Sequence, residues 1–113
     1  HVDEVTYAGL KTSKYAKVVR EIYPKGAGAL FTIALKGGYE ACVKLVNNVN
    51  LFSHVSNLGD TRSLIIHPAS TVHRQLTEEQ QIKAGLAPNV VRLSIGIEDP
   101  IDLIKDLKQA LNG

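Results

Sequence analysis

The stretch that most constrains this chain is Asn89-Val-Val-Arg-Leu-Ser-Ile-Gly-Ile-Glu98, which runs directly into Asp99-Pro-Ile-Asp102. Its valine, leucine and isoleucine residues predict a buried strand, and one long cation, Arg92, stands among them. Gly96 lets the chain turn. Asp99 then fits a helix N-cap, Pro100 the first helical position and Asp102 a carboxylate at the positive end of the helix dipole. This places Arg92 near the end of a strand, next to a helix entry. Two roles are open to it: a structural arginine paired with an acid such as Glu98 or Asp99, or a clamp for a carboxylate or phosphate ligand. Buried charges are normally paired, which favours the first. A guanidinium also grips a carboxylate through two parallel hydrogen bonds, which lysine cannot do, and this keeps the second in play.

A chain of 113 residues, 44% of them apolar, has material for one core and one domain, residues 1–113. Thirteen basic and eleven acidic residues are interspersed, giving a formal charge of +2, and no basic tract calls for nucleic acid. No apolar run approaches the roughly 18–20 residues of a membrane span, and no signal-like segment opens the chain. A soluble, cytoplasmic protein is expected. The single cysteine, Cys42, rules out an internal disulfide and falls on the apolar side of a helical pattern, where it fits a small buried hydrophobe. The chain starts at His1 without a methionine, as a piece of something longer would.

Taken in order, the segments alternate. Val2 to Tyr7 fits an extended entry segment or an edge strand. From Thr12 or Ser13, Tyr15, Val18, Val19, Ile22 and Tyr23 recur at helical spacing until Pro24-Lys-Gly-Ala-Gly28 ends the helix. Ala29 to Leu35 is apolar on both alternations and predicts a central strand covered on two faces. Gly37-Gly38 introduces a second helix with Tyr39, Cys42, Val43, Val46 and Val49 on one side, ending near Asn47-Asn48. Leu51 to Val55 predicts a short strand, and Ser63 to His67 a buried one stopped by Pro68. Thr77-Glu-Glu-Gln80 is a capping-box sequence that starts a short helix, with Gly85 just past its end. The last helix carries an expected apolar face of Ile101, Ile104, Leu107 and Leu111. The order predicts an α/β two-layer sandwich, a mixed sheet with helices on one face.

Other groups offer little chemistry. His67 and His73 are six apart across a proline, which is no zinc spacing. Ser63 or Ser70 could be combined with a histidine and Asp60 on paper, but no Gly-x-Ser-x-Gly elbow is present. Lys11, Lys25 and Lys36 all sit beside turns, whereas an imine-forming amine needs desolvation.

Two motifs, Ser63-Leu-Ile-Ile-His-Pro-Ala-Ser-Thr-Val-His73 and Val91-Arg-Leu-Ser-Ile-Gly-Ile-Glu-Asp99, together resemble the C-terminal domain of the pyridoxal-phosphate (PLP) enzymes of Cys/Met metabolism, the cystathionine gamma-synthase-like group. Pro24-Lys-Gly-Ala-Gly28 and Lys36-Gly-Gly38 are similar to its O-acetylhomoserine sulfhydrylase branch. The resemblance implies a small C-terminal α/β domain packed on a larger cofactor domain of the same enzyme, within a homo-oligomer, a tetramer. It implies that Arg92 holds the α-carboxylate of an amino-acid substrate, with Ser63 beside that carboxylate and Leu64 next to it. His67, Ser70, Thr71 and His73 match the motif as loop-shaping residues. The implied intact enzyme is a PLP-dependent transferase or lyase that makes homocysteine from O-acetylhomoserine and sulfide. Its cofactor lysine and phosphate-binding motifs are not in this chain, which is therefore expected to be inactive alone, with an apolar face that the large domain would cover. Another family member (a cystathionine gamma-synthase or gamma-lyase) and a free-standing amino-acid-binding domain are the alternative readings.

Overall fold

The computed structural model describes residues 1–113. The elements are β1 (Val2–Thr6), α1 (Ala16–Ile22), β2 (Leu30–Leu35), α2 (Gly38–Asn48), β3 (Ser53–His54), β4 (Leu64–Ile66), α3 (Glu78–Lys83), β5 (Val90–Ser94) and α4 (Pro100–Asn112), with a 3-10 turn at Pro68–Ser70. The strands form one sheet in the order β1-β2-β5-β4-β3. The β3–β4 pair is parallel and the other three pairs are antiparallel, so the sheet is mixed, as expected. The last strand in sequence is the central one.

Strand alternation divides the sheet into two unlike faces. Ile33 stands opposite Val91, and Leu93 lies between Phe31 and Ile65. These side chains pack with Leu35, Cys42, Leu45, Val46, Phe52, Leu103 and Ala110 into one core beneath α2 and α4. Val91, Leu93 and Ile65 are completely buried, each contributing about 1.5–3 kcal/mol of transfer free energy. Cys42 is among them, and burial raises its thiol pKa to about 11, which suits the expected packing role. The opposite face carries Thr32, Arg92 and Ile66 side by side. The expectation that β2 would be covered on both faces does not hold: Leu30 is 44% exposed.

Local signals explain where helices start and stop. Thr77 accepts from the Gln80 N–H while the Gln80 side chain accepts from the Thr77 N–H, the reciprocal capping predicted from sequence. Gly85, at φ +77°, ends α3 in the left-handed conformation that favours glycine. Asp99 caps α4, accepting from the Ile101 N–H at 2.8 Å.

Two helical stripes differ from expectation. The first helix begins at Ala16 rather than at Thr12 or Ser13, and it buries no residue; Tyr15, Val18, Ile22 and Tyr23 are all at least half exposed. Its apolar side has no partner in this chain. In α4, Ile101 and Ile104 are exposed while Leu103, Asp106 and Ala110 are buried. The inward face is displaced because Asp106 occupies a core-facing position. Its carboxylate accepts the N–H groups of Asn50, Leu51 and Phe52 at 2.8, 2.7 and 3.2 Å. Burial works against the charged form, but these bonds and that from Gln109 outweigh it and hold the carboxyl below its ordinary range.

Candidate functional site

Arg92 lies in the middle of β5, not near its end, and is therefore on the central strand of the sheet. Glu98 and Asp99 do not pair with it. The two ion pairs of the chain join Arg62 to Asp60 and Lys83 to Glu79, both on the surface. The one protein acceptor for the Arg92 guanidinium is the backbone carbonyl of Ser56, 2.9 Å from Nη2. A half-buried cation that keeps most of its fork unengaged is unusual, since such groups normally meet a carboxylate. Beside it, His54, Ser56, Ile66, Ser70, Thr71 and Arg74 line an open polar depression. The face holding Arg92 is thus open and polar beside the guanidinium, while Leu64, Ile66 and Ser94 on the same face are buried.

Ser63 and Leu64 are placed differently. Ser63 is 0% and Leu64 1% exposed. Leu64 shares the alternation of Ile66 and hence the face of Arg92, whereas Ser63 shares that of Ile65. Both polar groups of Ser63 are engaged: its N–H and its hydroxyl each donate to Glu98 at 2.7 Å, and the hydroxyl accepts from the Gly96 N–H at 2.8 Å. The Ser63 N–H, then its hydroxyl, hold the Glu98 carboxyl below its usual range.

The segment after β4 is shaped by His67, which is fully buried. Its Nε2–H donates to the Pro88 carbonyl at 2.7 Å, leaving Nδ1 to accept from the Ser70 hydroxyl at 2.9 Å. The Thr71 hydroxyl donates to the His67 carbonyl at 2.8 Å, and the Tyr39 ring meets the imidazole edge-on. The imidazole thus ties the Pro68 turn to the loop ahead of β5. Desolvation lowers its pKa below the ordinary 6.5, although the Pro88 contact opposes this. The neutral form is therefore the native one. Stability should be full above pH 6.5 and decline as pH falls through the lowered native value, because only the unfolded chain then takes up the proton freely. In denaturant titrations from pH 7 to about 5, above most carboxyl titration, the native protein should lose stability and a His67→Gln variant should lose less. Equal slopes would count against this.

No lysine of the chain is desolvated; every one is exposed. None of them therefore has the desolvated surroundings that an imine-forming amine needs. No helix is long and apolar enough to cross a membrane.

The family model of Cys/Met metabolism PLP-dependent enzymes matches residues 1–112. This chain belongs to that family. Among the similar members, O-acetyl-L-homoserine sulfhydrylase 1 of Thermus thermophilus is 46% identical over 107 residues, which cover 95% of this chain and 25% of that enzyme. The L-methionine gamma-lyase of Fusobacterium nucleatum is 43% identical over 110 residues, covering 97% of this chain and 28% of that one. A crystallised candidate O-acetylhomoserine (thiol)-lyase of Campylobacter jejuni, with N'-pyridoxyl-lysine-5'-monophosphate, superposes with a TM-score of 0.90 at 41% identity, covering 99% of this chain and 27% of that one. This member of the Cys/Met family therefore spans about a quarter of the length of the curated relatives it matches. Its α/β architecture is that of the corresponding part of family enzymes.

Sequence reasoning found Arg92 because a charge in an apolar strand is conspicuous. It missed Ser56, whose contribution is a backbone carbonyl with no signature in residue type. It also missed the bond between Glu98 and Ser63, since an acid just ahead of Asp99-Pro100 looks like part of a helix entry.

Proposed function

We propose that this chain is the small C-terminal domain of a longer PLP-dependent enzyme that makes homocysteine and acetate from O-acetylhomoserine and sulfide, and that Arg92 holds the α-carboxylate of the amino-acid substrate. The observation that carries this reading is the Arg92 guanidinium on the open face of the central strand, held by the Ser56 carbonyl and left without an acid partner. A planar fork of this kind takes a carboxylate through two charge-assisted hydrogen bonds, which fixes orientation as well as position. Water is partly excluded at a half-buried site, which strengthens the attraction. Ser63 and Leu64, being sealed from solvent, serve that carboxylate by fixing the chain around the clamp.

The cofactor lysine and its phosphate site belong on this reading to the larger domain, which supplies the electron sink for bond changes at Cα. The present chain binds and orients. That role fits a partner surface: the open part of the sheet face around Arg92 and Leu30 and the exposed apolar side of α1 are where the large domain and neighbouring subunits of a tetramer would pack. The enzyme would work in the cytoplasm.

A second reading, a gamma-lyase that releases methanethiol from methionine, has its own support in the 43% identity to a methionine gamma-lyase. One assay separates the two. Purified full-length protein, supplied with PLP, should convert O-acetyl-L-homoserine and sulfide to homocysteine and should release little methanethiol from L-methionine. The reverse pattern would establish the lyase, and amino-acid binding by the 113-residue chain alone would point to a free-standing binding domain.

A further inference from the structure

Residues 92–98 hold the loop between β3 and β4 at several points. Arg92 Nη2 donates to the Ser56 carbonyl at 2.9 Å, and the Ser94 hydroxyl accepts from the Gly59 N–H at 3.2 Å. The Ile97 N–H donates to the Thr61 carbonyl at 2.9 Å. Glu98 then receives the Ser63 N–H and hydroxyl, while the Gly96 N–H donates to that same hydroxyl. Gly96 permits this approach, because a Cβ there would lie 2.5 Å from the Arg62 carbonyl carbon and 2.7 Å from the Ser63 nitrogen. Among these contacts Glu98 is the charged, two-pronged one. It grips the loop where the loop enters β4.

We infer that Glu98 is a positioning residue for the carboxylate clamp: by pinning Ser63 it fixes the loop whose Ser56 carbonyl aims the Arg92 guanidinium. This rests on the reading of Arg92 as the substrate-carboxylate ligand and adds to it a residue that never touches substrate. Release of Ser63 frees the loop at its β4 end. With the Gly59 and Thr61 contacts still in place, the Ser56 carbonyl is held less tightly, and the acceptor that orients the guanidinium fork is less sharply aimed. The effect is specific to ligands carrying a carboxylate.

The test uses the full-length enzyme loaded with its cofactor and two unreactive inhibitors, L-norvaline and n-butylamine, which is norvaline without the carboxylate. Glu98→Gln should raise the norvaline inhibition constant about tenfold, the value of one charge-assisted hydrogen bond, and leave that of n-butylamine unchanged. Ser63→Ala, which removes only the hydroxyl, should act in the same direction and less strongly. Arg92→Lys is measured in parallel: if it does not alter norvaline affinity, the reading of Arg92 itself fails. If Arg92→Lys weakens norvaline while a folded Glu98→Gln binds it normally, or weakens both inhibitors alike, Glu98 has no positioning role. Should Glu98→Gln not fold, Ser63→Ala decides, and normal norvaline binding by that variant overturns the inference.

Discussion

Replacing Arg92 by leucine in the full-length enzyme is expected to lower kcat/KM for O-acetyl-L-homoserine by about two to three orders of magnitude, the cost of losing a two-pronged charged contact of roughly 3–4 kcal/mol. KM should rise most. A fall in kcat should accompany it, because a substrate held only at its other end no longer presents its Cα–H bond in the reactive direction. Arg92→Lys should keep part of the attraction and lose the paired geometry, giving an intermediate defect. Stability should move the other way. The guanidinium sits in an apolar strand with a single carbonyl acceptor, and an apolar side chain there removes a half-buried charge without leaving a charged partner unsatisfied. Thermal unfolding of Arg92→Leu should therefore be unchanged or shifted upward while catalysis fails. Near-native kinetics for this variant would remove the carboxylate clamp from consideration.

The second large effect should be at Asp106. Three consecutive backbone N–H groups, of Asn50, Leu51 and Phe52, end on its carboxylate. They carry the chain out of α2 toward β3. Asp106→Ala leaves those donors without their acceptor and should cost about 3 kcal/mol. Hydrogen exchange gives a local reading in the full-length protein: the amides of Asn50, Leu51 and Phe52 should exchange about a hundredfold faster. Asp106→Asn, which keeps one carbonyl acceptor, should lie between. Unchanged exchange at these three amides in Asp106→Ala would show that the carboxylate is dispensable. Because the native carboxyl is held below its ordinary range, this contribution is present above the unfolded value of 3.8 and is lost as pH falls through the native one.

The same residue shows where sequence reading stops. Periodicity in the last helix selected Ile101 and Ile104 as core residues because an aspartate scores as solvent-facing, yet Asp106 faces inward and the two isoleucines outward. A side chain that bonds a segment over 50 residues away leaves no local trace. The capping box at Thr77, the Asp99-Pro100 helix entry and the glycine at 85 were legible because each depends on neighbours within a few residues. The β-branched and leucine-rich runs located the strands, but not their order. Arg92 was visible as a misfit; the Ser56 carbonyl beside it and the grip of Glu98 on Ser63 exist only after β4 and β5 have paired. The α1 stripe is the opposite case: a correct apolar pattern whose partner is not among these residues.

The position of β5 has a consequence for biosynthesis. As the chain leaves the ribosome, β1 and β2 can pair early, and β3 and β4 can pair later, but nothing joins these two ribbons until residues 90–94 slot between them. Until then β2 and β4 each present a bare edge able to recruit strands from other nascent chains. The contacts that close the sheet span up to about sixty residues of sequence, from Leu30 to Ser94, a topology that folds slowly. Synthesis of this region thus passes through an interval in which two open strand edges await the strand that closes the sheet.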